Sequence, residues 1–132
     1  NSPDHAVSLM EKENVEIILA GGRVRKGTRA CVDQWAIDTF EGLVADVAIV
    51  ATNGISLARG LTTPEPAEGA VKSAMIKAAK KVLVVADHTK FTQDHFVKFG
   101  EIKDINLVIT DDAVDQGAIA QIETTGIKVV RA

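Results

Sequence analysis

Short apolar runs recur along the chain, and most of them end in a turn signal. Residues 15–20 (Val-Glu-Ile-Ile-Leu-Ala) stop at Gly21-Gly22, and residues 46–51 (Asp-Val-Ala-Ile-Val-Ala) stop just before Asn53-Gly54. Residues 81–86 stop at Asp87, and residues 105–110 and 127–130 complete a series of five. Their near-continuous Val, Ile, Leu and Ala content predicts strands buried on both faces, as in parallel sheets. Helical patterns lie between them. The clearest covers 67–79, with apolar positions at 67, 70, 71, 74, 75, 78 and 79. That spacing is one face of a 3.6-residue period. Thr62, Thr63, Pro64, Glu65 and Pro66 supply its start signals, since threonine caps free N–H groups and proline suits the first turn. Lys80 and Lys81 follow, where cations suit the helix dipole. Residues 33–43 and 113–124, the latter stopped by Gly126, are two further helices. The alternation predicts an α/β fold. Its sheet is open and mostly parallel, with right-handed crossovers and helices on both faces.

Composition narrows the class. The chain has 132 residues, 46% of them hydrophobic, 25% charged, and a net charge of −3. This fits one globular domain and argues against disorder. Cys31 is the single cysteine, which excludes a disulfide scaffold. No apolar run reaches the roughly 20 residues of a membrane span, and the start shows no signal peptide. Aromatics are only 4%, so aliphatic side chains must carry the packing. A pI of about 5.6 argues against a free-standing nucleic-acid binder. The densest charge run, Arg23-Val24-Arg25-Lys26-Gly27-Thr28-Arg29, reads either as a solvated loop or as an anion or nucleic-acid contact.

Ligands of open α/β sheets bind outside the carboxyl ends of the strands, so the residues after each run carry the candidate chemistry. Asn53-Gly54 tolerates positive φ, and reads either as a tight turn or as an anion-binding turn. Gly60-Leu61-Thr62-Thr63 brings two hydroxyls to a helix start, suited to capping or to an anion. Glu68 and Lys72, four apart, share a helix face; alone they form a surface ion pair. Asp87-His88-Thr89-Lys90 places an acid and a base three apart at a strand end. His88, His95 and Asp94 are too loosely spaced for a metal site, and Cys31 has no evident base partner. Phe91, Phe96 and Phe99 form a local aromatic group, suited to loop packing or to a subunit contact. A phosphoryl-accepting receiver domain is excluded, because its acidic pair must follow the first strand while Asp111-Asp112 lies near the end.

Taken together, Asp46-Val47-Ala48-Ile49, Asn53-Gly54-Ile55, Gly60-Leu61-Thr62-Thr63, Glu68, Lys72 and Asp87-His88-Thr89-Lys90-Phe91 resemble one family in order and spacing. It is the C-terminal sensor domain of DeoR-family transcriptional regulators, and Leu19-Ala20-Gly21-Gly22 resembles its strand ending in a glycine pair. The resemblance implies a Rossmann-like domain related to ribose-5-phosphate isomerase, glucosamine-6-phosphate deaminase and CoA transferases. It implies a cytoplasmic repressor of sugar metabolism, released from operator DNA by a phosphorylated sugar, with a fructose phosphate favoured. By the same resemblance Asn53 and Gly54 line the pocket, and Thr62 and Thr63 approach the ligand from the helix start. Glu68 faces sugar hydroxyls, Lys72 and Lys90 balance phosphate charge, Asp87 sits at the pocket floor and fixes Lys90, and Asp46 is structural. Asn53 stands where the family often has aspartate, and a neutral amide suits binding better than acid–base work.

The resemblance also implies that residues 1–132 are a single, partial sensing domain. An N-terminal part of the fold, with its phosphate loop, and the winged helix-turn-helix that reads DNA would precede it. A homodimer or homotetramer is expected, with no catalytic residue, cofactor, metal or membrane partner. The alternative on the same fold is a sugar-phosphate isomerase-like enzyme, in which Glu68 and Asp87 are the acid–base candidates. A bare oligomerisation module is the third.

Overall fold

A computed structural model describes all residues, 1–132. The elements are α1 (Pro3–Leu9), β1 (Arg23–Val24), β2 (Cys31–Val32), α2 (Gln34–Phe40), β3 (Ala48–Ala51), β4 (Gly54–Ser56), β5 (Gly60–Thr63), α3 (Pro66–Lys77), β6 (Val82–Val85), β7 (Val97–Gly100), β8 (Leu107–Thr110), α4 (Gln116–Glu123) and β9 (Lys128–Arg131). Four of the five apolar runs form one parallel sheet, in the order β3-β6-β8-β9. The class is the expected one, a mainly parallel α/β sheet flanked by helices.

Register explains which side chains make the core. Val50, Val84, Val108 and Val129 stand side by side across the four strands. The first three are essentially inaccessible, and they join Ile76 of α3 and Ile119 and Ile122 of α4 in one cluster of 18 buried residues. Strand order advances in one direction only, so right-handed crossovers place both helices on this face, where helices on both faces were expected. The opposite face carries Ile49, Leu83 and Leu107 in register. It is open where Ile49 is 63% and Val85 43% exposed. A smaller core of Cys31, Val32, Ala36 and Val71 fastens α2 and β2 to α3.

Three expectations are corrected here. Residues 15–20 join no ladder, and Ile18 is 82% exposed. An apolar run becomes a strand only where a partner supplies its hydrogen bonds, and the free edge of β3 shows that none is in place. Thr62 and Thr63 belong to β5, not to a helix start, and are fully buried. Glu65 is the N-cap of α3 and makes no side-chain cap bond. The aromatic group is divided, with Phe91 and Phe99 buried and Phe96 86% exposed.

A second, antiparallel sheet, β4-β5-β7, does not show in the apolar pattern. Its strands are three or four residues long and rich in glycine and threonine. Gly60 has φ +76°, and a Cβ there would stand 2.3 Å from the Gly100 carbonyl oxygen, so this position requires glycine. This sheet and α3 pack together and bring residues 53, 63 and 68 near the end of β3.

Candidate functional site

β3 runs into Thr52 and Asn53, and a cleft of about 550 Å³ opens at this carboxyl end. Thr28, Ala51, Asn53, Glu68, Lys72 and Met75 are among its walls, with His5 at the margin. Of the eight residues expected at a site, the cleft brings together Asn53, Glu68 and Lys72.

The Glu68–Lys72 helix-face pair does not form. Glu68 instead pairs with Arg25, which arrives from the loop after β1 and also meets Glu65 at 3.3 Å. Thr28 donates its hydroxyl to the same carboxylate oxygen, Oε1, at 2.5 Å. The Glu68 side chain is only 7% exposed. Burial pushes its carboxyl up, but the bonds from Thr28 and Arg25 and the charges of Lys72 and Arg25 outweigh this and hold it below the usual range. Glu68 Oε2 accepts no protein hydrogen bond and can receive one from a ligand hydroxyl.

Lys72 is left without a carboxylate partner. Its ammonium lies 5.3 Å from the centre of the Phe99 ring, a cation–π contact. Burial pushes its pKa down, and the charge of Glu68 only partly offsets this. An anion entering the cleft would restore what burial costs this ammonium.

The Glu68 shift carries a pH prediction. A folded pKa below the unfolded value of about 4.5 adds stability above that pH, and this is lost as pH falls through the folded value. Urea midpoints measured downward from pH 4.5 should therefore fall more steeply in the wild type than in Glu68→Gln. Parallel slopes would contradict it.

The Asn53-Gly54 turn is not an anion nest. The Asn53 N–H donates to the Thr62 carbonyl at 3.2 Å, and the Gly54 N–H to Thr52 Oγ1 at 3.3 Å, so both amides are committed. Gly54 has no positive φ; it is needed because a Cβ would stand 2.3 Å from the Gln93 carbonyl oxygen and 2.6 Å from Thr62 Oγ1. Gly54→Ala should cost about 1–3 kcal/mol, the usual range for overpacking. Unchanged urea unfolding would contradict it. Thr63 donates to Asn53 Oδ1 at 2.9 Å, which leaves the Asn53 amide N–H₂ free for the cleft. Thr62 Oγ1 accepts the His95 N–H at 3.1 Å. Thr62 and Thr63 thus hold the cleft wall from behind.

Asp87 and Lys90 follow β6 and are not part of the cleft lining. Asp87 Oδ2 does approach Lys90 Nζ, at 3.7 Å. Asp87 is exposed, and hydrogen bonds from Thr89 are the largest influence holding its carboxyl below the usual value. Asp87, His88 and Asp111 bring donor atoms within 4.8 Å of one another across the ends of β6 and β8, the one grouping with a cation-binding donor set. His95 and Asp94, by contrast, bond to Asn53 and Ser56. Arg25 and Thr28 are the residues that the sequence did not single out. Both lie in the basic run after Gly21-Gly22, where an anion contact was one of two readings, and the anion is the protein's own Glu68.

Comparison with known proteins identifies the family. The family described as the DeoR C terminal sensor domain matches residues 1–112. The HTH-type transcriptional regulator GlpR of Haloferax volcanii is 38% identical over 130 residues, covering 98% of this chain and 51% of the relative. The HTH-type transcriptional repressor GlcR of Bacillus subtilis is 32% identical over 98% of this chain and 50% of its own length. The glycerol-3-phosphate regulon repressor of Escherichia coli is 32% identical over 84% of this chain and 44% of its own. The chain thus spans about half the length of these curated relatives. With the parallel sheet, the cleft at its carboxyl end and this match, the chain belongs to the DeoR-type C-terminal sensor domains.

Proposed function

We propose that this chain is the effector-sensing part of a transcriptional repressor of sugar or sugar-phosphate use, and that a phosphorylated sugar or polyol binds the cleft at the end of β3. The observation that carries the reading is Lys72, a half-buried ammonium without a carboxylate partner, set beside the free amide of Asn53 and the open oxygen of Glu68. A phosphate dianion would take the ammonium and the amide, and hydroxyls would donate to Glu68. The name of the glycerol-3-phosphate regulon repressor points to the same ligand chemistry. In the whole protein a preceding winged helix-turn-helix would hold operator DNA, and the phosphorylated ligand would release it. A cytoplasmic homodimer or homotetramer and a fructose phosphate as effector belong to the same proposal. Gly54, Thr62 and Thr63 would serve that site from behind its wall, and Asp87 and Lys90, expected in the pocket, stand outside its lining.

The isomerase-like alternative needs a carboxyl tuned for proton transfer near neutrality. Glu68 is held well ionised by Arg25 and Thr28, which makes it a weak base and no acid. This favours binding over turnover. Gel shift of the intact protein on its own promoter, against a panel of sugar and polyol phosphates, tests the reading. At least one should free the DNA, and a coupled isomerase assay with that compound should show no turnover. Retention of the complex by the whole panel would overturn it.

A further inference from the structure

Lys72 sits four residues after Glu68 on α3, and that helical spacing makes Glu68 its default partner. Any glutamate–lysine pair formed there would neutralise the ammonium and close the cleft to an outside anion. What prevents this comes from 43 residues away in sequence. Arg25 is only 27% exposed, and it takes Glu68 Oε1 with one guanidinium nitrogen and Glu65 with the other. Thr28 occupies the same oxygen. The planar fork is suited to holding two carboxylates at once, and it fixes Glu68 against the β1–β2 loop.

We propose that Arg25 is a specificity-determining positioning residue: by sequestering Glu68, it keeps the Lys72 ammonium unpaired and so sets the cleft to accept a phosphate. Its charge also offsets Glu68, so the cleft does not repel a dianion. The phosphate preference is then created by a residue that does not touch the ligand. This rests on the phosphate reading of the cleft, but it makes a separate claim about Lys72 in the empty protein.

The consequence is a pattern of loss and rescue. Without Arg25, the Glu68 carboxylate turns to Lys72, and phosphate must compete with it. Removing the Glu68 charge as well frees Lys72 again. An account in which Arg25 only braces the loop predicts no such rescue.

The intact protein, with Lys72 followed by its side-chain NMR resonance, gives both readouts. Titration with base reports the Lys72 protonation equilibrium, whose charged neighbour is Glu68, with Asp4 and His5 also lining the cleft, and titration with inorganic phosphate reports binding. Arg25→Gln should raise the Lys72 pKa and weaken phosphate binding about tenfold, the loss of one modest charge-assisted contact. Arg25→Gln combined with Glu68→Gln should return both towards wild type, and Arg25→Lys should stay close to wild type. An unmoved Lys72 titration in Arg25→Gln, or no recovery in the double variant, would overturn the proposal. A wild-type protein blind to phosphate, with its Lys72 titration still moved by Arg25→Gln, would remove the phosphate reading while upholding the positioning by Arg25.

Discussion

If the chain senses for a repressor as proposed, Lys72→Ala should leave operator binding of the intact protein unchanged and make it uninducible. Loss of a hydrogen bond to a charged partner costs about 1.5–3 kcal/mol. At RT this is a weakening of roughly 10- to 100-fold in effector affinity, enough to abolish release at concentrations that free the wild type. Stability should barely change. The variant loses a cation–π contact with Phe99, worth about 0.5–1 kcal/mol, but also removes an ammonium that burial disfavours. The two effects oppose each other, so a binding defect without a folding defect is the expected signature. Effector titration of the gel shift, alongside thermal unfolding, separates them. Normal induction of Lys72→Ala would remove the cleft from the account.

Arg25→Ala should do the opposite and unsettle the fold first. Glu68 is 7% exposed, and it would keep only the Thr28 hydroxyl as a bonded partner. Breaking a buried ion pair from one side typically costs about 3–5 kcal/mol, because the remaining charge is uncompensated. The low end applies here, since Arg25 is itself 27% exposed and Lys72 can swing onto the freed carboxylate. About 3 kcal/mol corresponds to a fall in melting temperature of roughly 10 °C for a domain of this size. Adding Glu68→Gln should recover much of it, because an amide is cheaper to bury than a charge. A melting temperature within about 2 °C of wild type for Arg25→Ala would show that the pair contributes little, as at an exposed surface.

These two variants also mark where sequence was informative and where it was not. The strands at 48–51, 82–85, 107–110 and 128–131 lie in or beside runs of Val, Ile and Leu, and a buried parallel sheet demands that composition. Helix α3 follows from its period, and Pro66 sits in its first turn as expected. The antiparallel strands β4 and β5 were hidden because Gly54, Gly60, Thr62 and Thr63 carry turn chemistry. In the fold the glycines serve close backbone approach, and the threonines are buried in the sheet. Helical spacing paired Glu68 with Lys72, but a partner 43 residues distant takes the carboxylate instead. Local periodicity cannot register a contact of that range. The run at 15–20 shows the reverse case, where β-forming residues lie exposed because no neighbouring strand completes their hydrogen bonds.

The central claim is that the cleft recognises a phosphate through Lys72. Calorimetric titration of the intact protein with a polyol phosphate that releases its operator, and with the same polyol lacking the phosphate, tests it most directly. Saturable heat from the phosphorylated compound alone, lost in Lys72→Ala, is the predicted result. Equal binding of both compounds, or phosphate-dependent binding that Lys72→Ala leaves unchanged, would contradict it.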